Sequence, residues 1–178
     1  MILLRQLAAL EQNDSFHVGR LLLILKAMGG DQRPIAGLTK LAKLDFLLRY
    51  PMFLERALEA RHVNSKAVNT QDYEKRSVES TMVRYRFGPW DSRYRRFLNV
   101  LSARGLVHIT VEGRTVLIGL TGEGLTKAIE IASTESYEQI DKRAQLLKHF
   151  DLTATNLMKF IYTTFPEISS FRSGQTIQ

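Results

Sequence analysis

Between Tyr94 and Gly124 the chain reads YRRFLNVLSARGLVHITVEGRTVLIGLTGEG, and this stretch constrains the fold more than any other. Tyr94, Phe97, Leu98 and Leu101 recur at i, i+3, i+4 and i+7, the spacing of an amphipathic helix. Asp91 or Ser92 would cap that helix and it would run to Arg104, with Gly105 as the left-handed residue that ends it. Two β runs follow, Leu106–Val111 and Thr115–Leu120, around Glu112-Gly113-Arg114. That pattern predicts a hairpin turning on Gly113. Leu106 and Val107 would anchor the hairpin to the core, and Thr121 would cap a further helix over residues 123–133.

The flanking sequence is largely helical. Residues 1–12 predict a short helix with Ile2, Leu3, Leu7 and Leu10 on one side. Asp14 or Ser15 would cap the next helix, Phe16–Met28, which is apolar nearly all round and so should be buried. Gly29-Gly30 would end it. Thr39 reads as the cap of a helix over residues 40–49, with Leu41, Leu44, Leu47 and Leu48 as its inner stripe. Pro51 suits the first turn of a third helix, Met52–Arg61. Residues 62–79 are polar and aperiodic, a loop or mobile insertion, whereas residues 80–87 alternate as a strand before a Gly88-Pro89 turn. Helices over 137–150 and 154–165 follow, the second capped by Thr153 and stopped by Pro166, and residues 169–178 are polar and prone to fraying.

The expected class is therefore mainly α with a small antiparallel β-hairpin sheet. The order of elements matches a winged helix-turn-helix with additional N- and C-terminal helices. A single domain is expected for the 178 residues. It would divide into a core over 15–133 with an insertion at 51–79, and a C-terminal helical extension over 134–178. With 44% hydrophobic and 24% charged residues, the chain has a globular composition. It has no cysteine, which excludes disulfides, thiolate metal sites and a thiol nucleophile. The longest apolar run, Leu21–Leu25, is far shorter than the ~20 residues of a membrane span, and the first residues lack a signal-peptide pattern. A cytoplasmic location without membrane contact is expected.

Gly37 to Pro51 (GLTKLAKLDFLLRYP) resembles a signature of the middle components of bacterial three-component ABC-ATPase systems, a group that includes the small subunit of Lamassu-type defence. Arg84 to Asp91 (RYRFGPWD), followed by Tyr94 and Leu98, is similar too, and the likeness covers about residues 18–125. The resemblance implies a non-enzymatic adaptor subunit of an anti-phage or anti-plasmid complex. It would link an SMC/Rad50-like coiled-coil ATPase to an effector, often a nuclease. It carries over no catalytic residue. The alternative on the same fold is a stand-alone homodimeric winged-helix transcription regulator.

Net charge is +7, which permits nucleic-acid or acidic-protein partners. Arg84, Arg86, Arg93, Arg95 and Arg96 fall within thirteen residues, opposed by Asp91 alone. In a DNA-binding winged helix the helix from Tyr94 would enter the major groove, with Arg114 of the hairpin turn on phosphate. Docking on an acidic partner and a merely solvated face are the other readings. Lys40, Lys43 and Arg49 are expected on the outer side of their helix, where Lys40 and Lys43 could touch phosphate. Asp45 is a candidate partner for an arginine of the 84–96 segment. Trp90 reads as a core residue locking the helix that follows, more than as a base-stacking one. Leu157, Met158, Phe160 and Ile161 offer a surface for a partner helix, or else pack on the chain's own core. His17, His62, His108 and His149 lack metal-binding spacing, the glycines of 119–124 lack a phosphate-loop lysine, and Asp72, Glu74 and Lys75 lie in a loop. No cofactor, metal or catalytic residue is expected.

Overall fold

The structure, a computed structural model, describes residues 14–30, 32–75, 83–85 and 88–170, with the side chains of 83–88 and 169–170 excepted. The described elements are mainly helical. They run α1 (Asp14–Met28), β1 (Ile35–Ala36), α2 (Leu38–Arg49), α3 (Pro51–Ala60), a 3-10 turn (Ser65–Val68), β2 (Val83–Tyr85), β3 (Gly88–Trp90) and α4 (Tyr94–Ala103). Then come β4 (Val107–Glu112), β5 (Thr115–Leu120), α5 (Gly122–Ala132), α6 (Glu135–Leu146), a 3-10 turn (Leu147–Phe150), α7 (Ala154–Thr164) and α8 (Pro166–Ser170).

Three antiparallel strands in the order β1-β5-β4 form a small sheet, in which Ile35 lies opposite Ile118, and Val107 through Glu112 lie opposite Leu120 through Thr115. β2 and β3 form a separate pair, with Val83 opposite Trp90. α1 packs against α5, α6, α4 and β5, and every residue from Leu21 to Leu25 is at most 3% exposed. That is what an all-round apolar helix demands. α2 meets α1, α3, α7, β1, β3 and the 147–150 turn, and all residues from Leu41 to Arg49 are buried.

Local signals set many element ends. Gly30, Gly105 and Gly113 have φ of 62°, 68° and 61°, the left-handed values expected at two helix ends and the hairpin turn. Thr121 Oγ1 accepts from Gly124 N, and Thr153 Oγ1 from Asn156 N, so both caps form as predicted. Other expectations need correction. α2 starts at Leu38 behind Gly37, whose φ is 100°, so Thr39 is inside the helix and makes no cap. α3 includes Pro51 as its first residue. Gly88-Pro89 is strand, because Pro89 pairs opposite Arg84 at an edge where its missing N–H costs no ladder bond. Within the expected loop, Ser65–Val68 makes a 3-10 turn whose Val68 is buried. Pro166 begins α8 as well as following α7. The described part of α1 already contains Asp14 and Ser15, and the predicted helix over 1–12, like residues 80–82, lies outside the described residues.

The C-terminal helices belong to the same apolar core. Leu147, Phe150, Leu157, Ile161, Phe165 and Ile168 are buried with the residues of α1 and α2. Phe165 packs edge-on to Phe53 and Phe46, at 4.9 and 6.1 Å between ring centroids. This corrects the docking reading for Leu157 and Ile161, which are 0% and 1% exposed. They face inward because α7 lies against α2, α3 and β3. Phe160 is half-buried against Phe150 at 5.5 Å, and Met158 is half-buried.

Candidate nucleic-acid interface

α4 is held by a buried ionic network. Asp45 on α2 accepts from Arg20 Nε of α1 at 2.5 Å, from Arg20 Nη2 and Arg49 Nη2 at 3.1 Å, and from the Tyr94 hydroxyl at 2.6 Å. Burial opposes its ionisation, but Arg20 and Arg49 outweigh that and hold the carboxyl well below the usual range. Burial, and after it the same carboxylate, push the Tyr94 hydroxyl well above its ordinary value. Just before α4, Asp91 accepts from Arg93 N at 2.9 Å, from Arg93 Nη2 at 2.7 Å, and from Arg49 Nη1 at 3.1 Å. Against the pull of burial, the Arg93 bonds and Arg49 hold Asp91 down to about 2. The first turn of α4 is thereby tied to both α1 and α2.

The network reassigns several residues. Asp45 takes Arg20 and Arg49, not an arginine of the 84–96 segment, and it is Asp91 of that segment that reaches Arg49. Arg49 is 5% exposed and Lys43 is 1% exposed, so neither is on an outer face. The reason is that α3, α7, β3 and the 147–150 turn pack on α2 in addition to α1. Lys43 Nζ donates to Thr39 O at 3.3 Å, and burial lowers its pKa to about 8. So enclosed, Lys43 has no access to a DNA phosphate, contrary to the expectation from sequence. Lys40 is engaged at 2.8 Å with Asp151, with 12% of its side chain exposed.

What remains open is one face of α4. Tyr94, Phe97, Leu98 and Leu101 are buried, as their spacing predicts, while Arg95, Arg96, Asn99 and Ser102 are exposed. Arg95 has no ion-pair partner among the described residues. Arg96 pairs at 2.6 Å with Asp14, both side chains being about half exposed (59% and 47%). Such an exposed pair is worth ~1 kcal/mol or less, so a phosphate can replace the carboxylate. Arg93 is more constrained, bound to Asp91 and lying 5.4 Å from the Phe97 ring centroid. Arg114 is exposed in the turn between β4 and β5, and α4 packs beside β4. Arg84 lies in β2, its side chain outside the described residues, and Arg86 is outside them entirely. Trp90 is half-buried and edge-on to Tyr94 at 5.4 Å, in keeping with a packing role.

Other titratable groups are engaged in holding elements together. Arg143 of α6 donates to both oxygens of Glu74 at 2.6 and 2.7 Å and to Val68 O at 2.8 Å, and Lys75 pairs with Asp72 at 3.1 Å. A cleft of about 540 Å³ at the end of α1 is lined by Lys26, Arg33, Lys148 and Asp151 among others. There Lys26 pairs with Asp141, and Arg33 with Asp151. Among the described residues no three His, Asp or Glu side chains are grouped to hold a metal ion. Arg20 and Arg143 escape sequence reasoning. For Arg20 a signal exists: a lone guanidinium inside the apolar run of α1 needs a buried carboxylate, and Asp45 within the leucines of α2 has the complementary need.

Comparison with protein-family models, with curated proteins and with solved structures yields no match.

Proposed function

We propose that the chain is a non-catalytic, DNA-contacting adaptor of an ABC-ATPase defence complex, built on a winged helix-turn-helix. The observation that carries the DNA contact is the open face of α4, where Arg95, Arg96, Asn99 and Ser102 are exposed on a helix rigidly fixed by Asp45 and Asp91. The sheet order β1-β5-β4, with α2 after β1 and α4 before β4, supports the winged-helix reading, in which α4 stands where a recognition helix would. Two exposed arginines of α4, Arg95 unpaired among the described residues and Arg96 in a weak surface pair with Asp14, and one at the hairpin turn suit phosphates better than base edges, so binding is sequence-blind and salt-dependent. The adaptor role rests on the sequence resemblance, which also supplies the partners: an SMC/Rad50-like ATPase and an effector, in the cytoplasm.

The test is fluorescence anisotropy on unrelated duplexes across a salt series. The wild-type chain binds all of them similarly, and log affinity falls linearly with log salt. Arg95→Glu with Arg96→Glu weakens binding at least about tenfold while the circular dichroism is unchanged. Unaltered affinity in that folded double variant would remove α4 from the interface. Tight binding to one duplex alone would favour the transcription regulator. Co-purification with the products of neighbouring genes tests the adaptor role separately.

A further inference from the structure

β4 is an edge strand whose outer side pairs with no described residue. Two bonds fix which of its backbone groups point outward. Thr121 N donates to Leu106 O, so Leu106 and the even-numbered residues after it turn their amides and carbonyls toward β5. Gly37 N donates to Val116 O, so Val116 bonds toward β1, and Val111 opposite it bonds outward. By alternation Val107, Ile109 and Val111 present unpaired N–H and C=O groups along the free edge. The strand reads VHITVE, without the lysine or proline that blunts such an edge. Its aliphatic side chains are open too, Ile109 being 38% and Val111 67% exposed.

We propose that β4 pairs antiparallel with β4 of a second copy of this chain, about a two-fold axis through Thr110, joining two three-stranded sheets into one. Only outward-facing residues can exchange hydrogen bonds, so odd-numbered residues must lie opposite odd-numbered ones. The register centred on Thr110 sets Ile109 opposite the partner's Val111 and Val111 opposite the partner's Ile109. On the other face it sets Thr110 opposite its own copy and His108 opposite the partner's Glu112. These are aliphatic, hydroxyl and imidazole–carboxylate cross-strand pairs, each of a favourable kind. Sliding the axis to Ile109 would leave Glu112 without His108 opposite it, and sliding it to Val111 would put His108 against Arg114. The register on Thr110 is thus self-complementary, as a two-fold interface requires, and is the one that sets imidazole against carboxylate. This dimer does not depend on DNA binding by α4, and the Arg95 and Arg96 substitutions leave it unchanged.

The chain has no cysteine, so one introduced thiol reports cleanly. Thr110→Cys sets two thiols at directly opposed positions with Cα atoms ~4.5 Å apart, within disulfide reach. Glu112→Cys sets its two thiols roughly 13 Å apart along the strands, beyond reach. Val111→Pro removes an outward N–H that β5 does not use, and Val111→Lys keeps the backbone but charges the edge. The wild-type chain is expected to sediment as a concentration-dependent dimer, twice the mass of the 20.4 kDa protomer. Both Val111 variants are expected to be folded monomers, and under mild oxidation Thr110→Cys cross-links while Glu112→Cys does not. A wild-type monomer at every concentration, a dimer that survives in a folded Val111 variant, or equal cross-linking at 110 and 112 would overturn the proposal.

Discussion

Lys43 is a cation that folding encloses, its ammonium reaching only the carbonyl of Thr39 one turn earlier. Burial holds its folded-state pKa near 8, below the 10.5 of the free side chain. Below about pH 8 both folded and unfolded chains carry the proton and the folded state bears the full cost of the buried charge. Between about 8 and 10.5 the unfolded chain holds more protons, so stability gained from this site rises with pH. Lys43→Met should therefore stabilise the protein by about 1–3 kcal/mol at pH 7, an advantage that shrinks by pH 9.5. Urea unfolding at the two pH values checks it, and an equal advantage at both would mean that Lys43 stays charged in the fold throughout. The spacing of Leu41, Leu44, Leu47 and Leu48 made one stripe of α2 legible, but not that other elements cover the opposite side. Lys43 and Arg49 were misplaced for that reason. Asp45 and Arg20 show the converse: a charge within an apolar run announces burial, but only the fold selects its partner.

At the scale of elements, the junction between the hairpin and α5 works as a latch. Thr121 Oγ1 accepts from Gly124 N at 2.9 Å and donates to Gly105 O at 2.6 Å, so one hydroxyl caps α5 and fastens it to the end of α4. Gly124 lies directly on the Leu106 backbone, where any Cβ would collide with the carbonyl oxygen. A backbone group cannot move aside as a side-chain tip can. Gly124→Ala should thus cost about 2–3 kcal/mol, more than the ~1 kcal/mol for Thr121→Val, although alanine favours helix over glycine elsewhere. Thermal or urea denaturation of both variants measures the order, and a stabilised Gly124→Ala would show that α5 does not press on Leu106. This junction was legible because its signals, Gly105, Gly113 and Thr121, act within a few residues. β3 was not, since Gly-Pro favours a turn locally and the pairing of Gly88–Trp90 with Val83–Tyr85 is what overrides it. Likewise α7 has an apolar face that sequence assigns equally to a partner or to the core, and contact with Phe46 and Phe53 through Phe165 decides it.

Over the whole molecule, carboxylates form bonds between segments far apart in sequence. Asp45 and Asp91 join α1, α2 and the start of α4 in the interior, whereas Asp151 holds Lys40 and Arg33, and Glu167 holds Arg56, nearer the surface. All four have pKa values lowered in the fold: Asp45 by Arg20 and Arg49 against burial, Asp91 by Arg93 and Arg49 against burial, Asp151 chiefly by its bond from Lys40, and Glu167 by that from Arg56. A depressed carboxylate contributes stability that is complete above its unfolded value, near 4, and is lost as pH falls through the folded value. Stability should therefore decline below about pH 4.5, and in an order set by depth. The surface bridges of Asp151 and Glu167 give way before Asp91, whose folded value is about 2, and Asp45 is the last. The C-terminal helices should accordingly loosen while α1, α2 and α4 are still joined. Hydrogen exchange between pH 5 and pH 2.5, corrected for its intrinsic pH dependence, would show residues 154–170 losing protection before residues 14–28. Simultaneous loss would mean that the buried core formed by Phe165 and Ile168, rather than the bridges, fixes the extension in place, and that the chain unfolds in acid as a single unit.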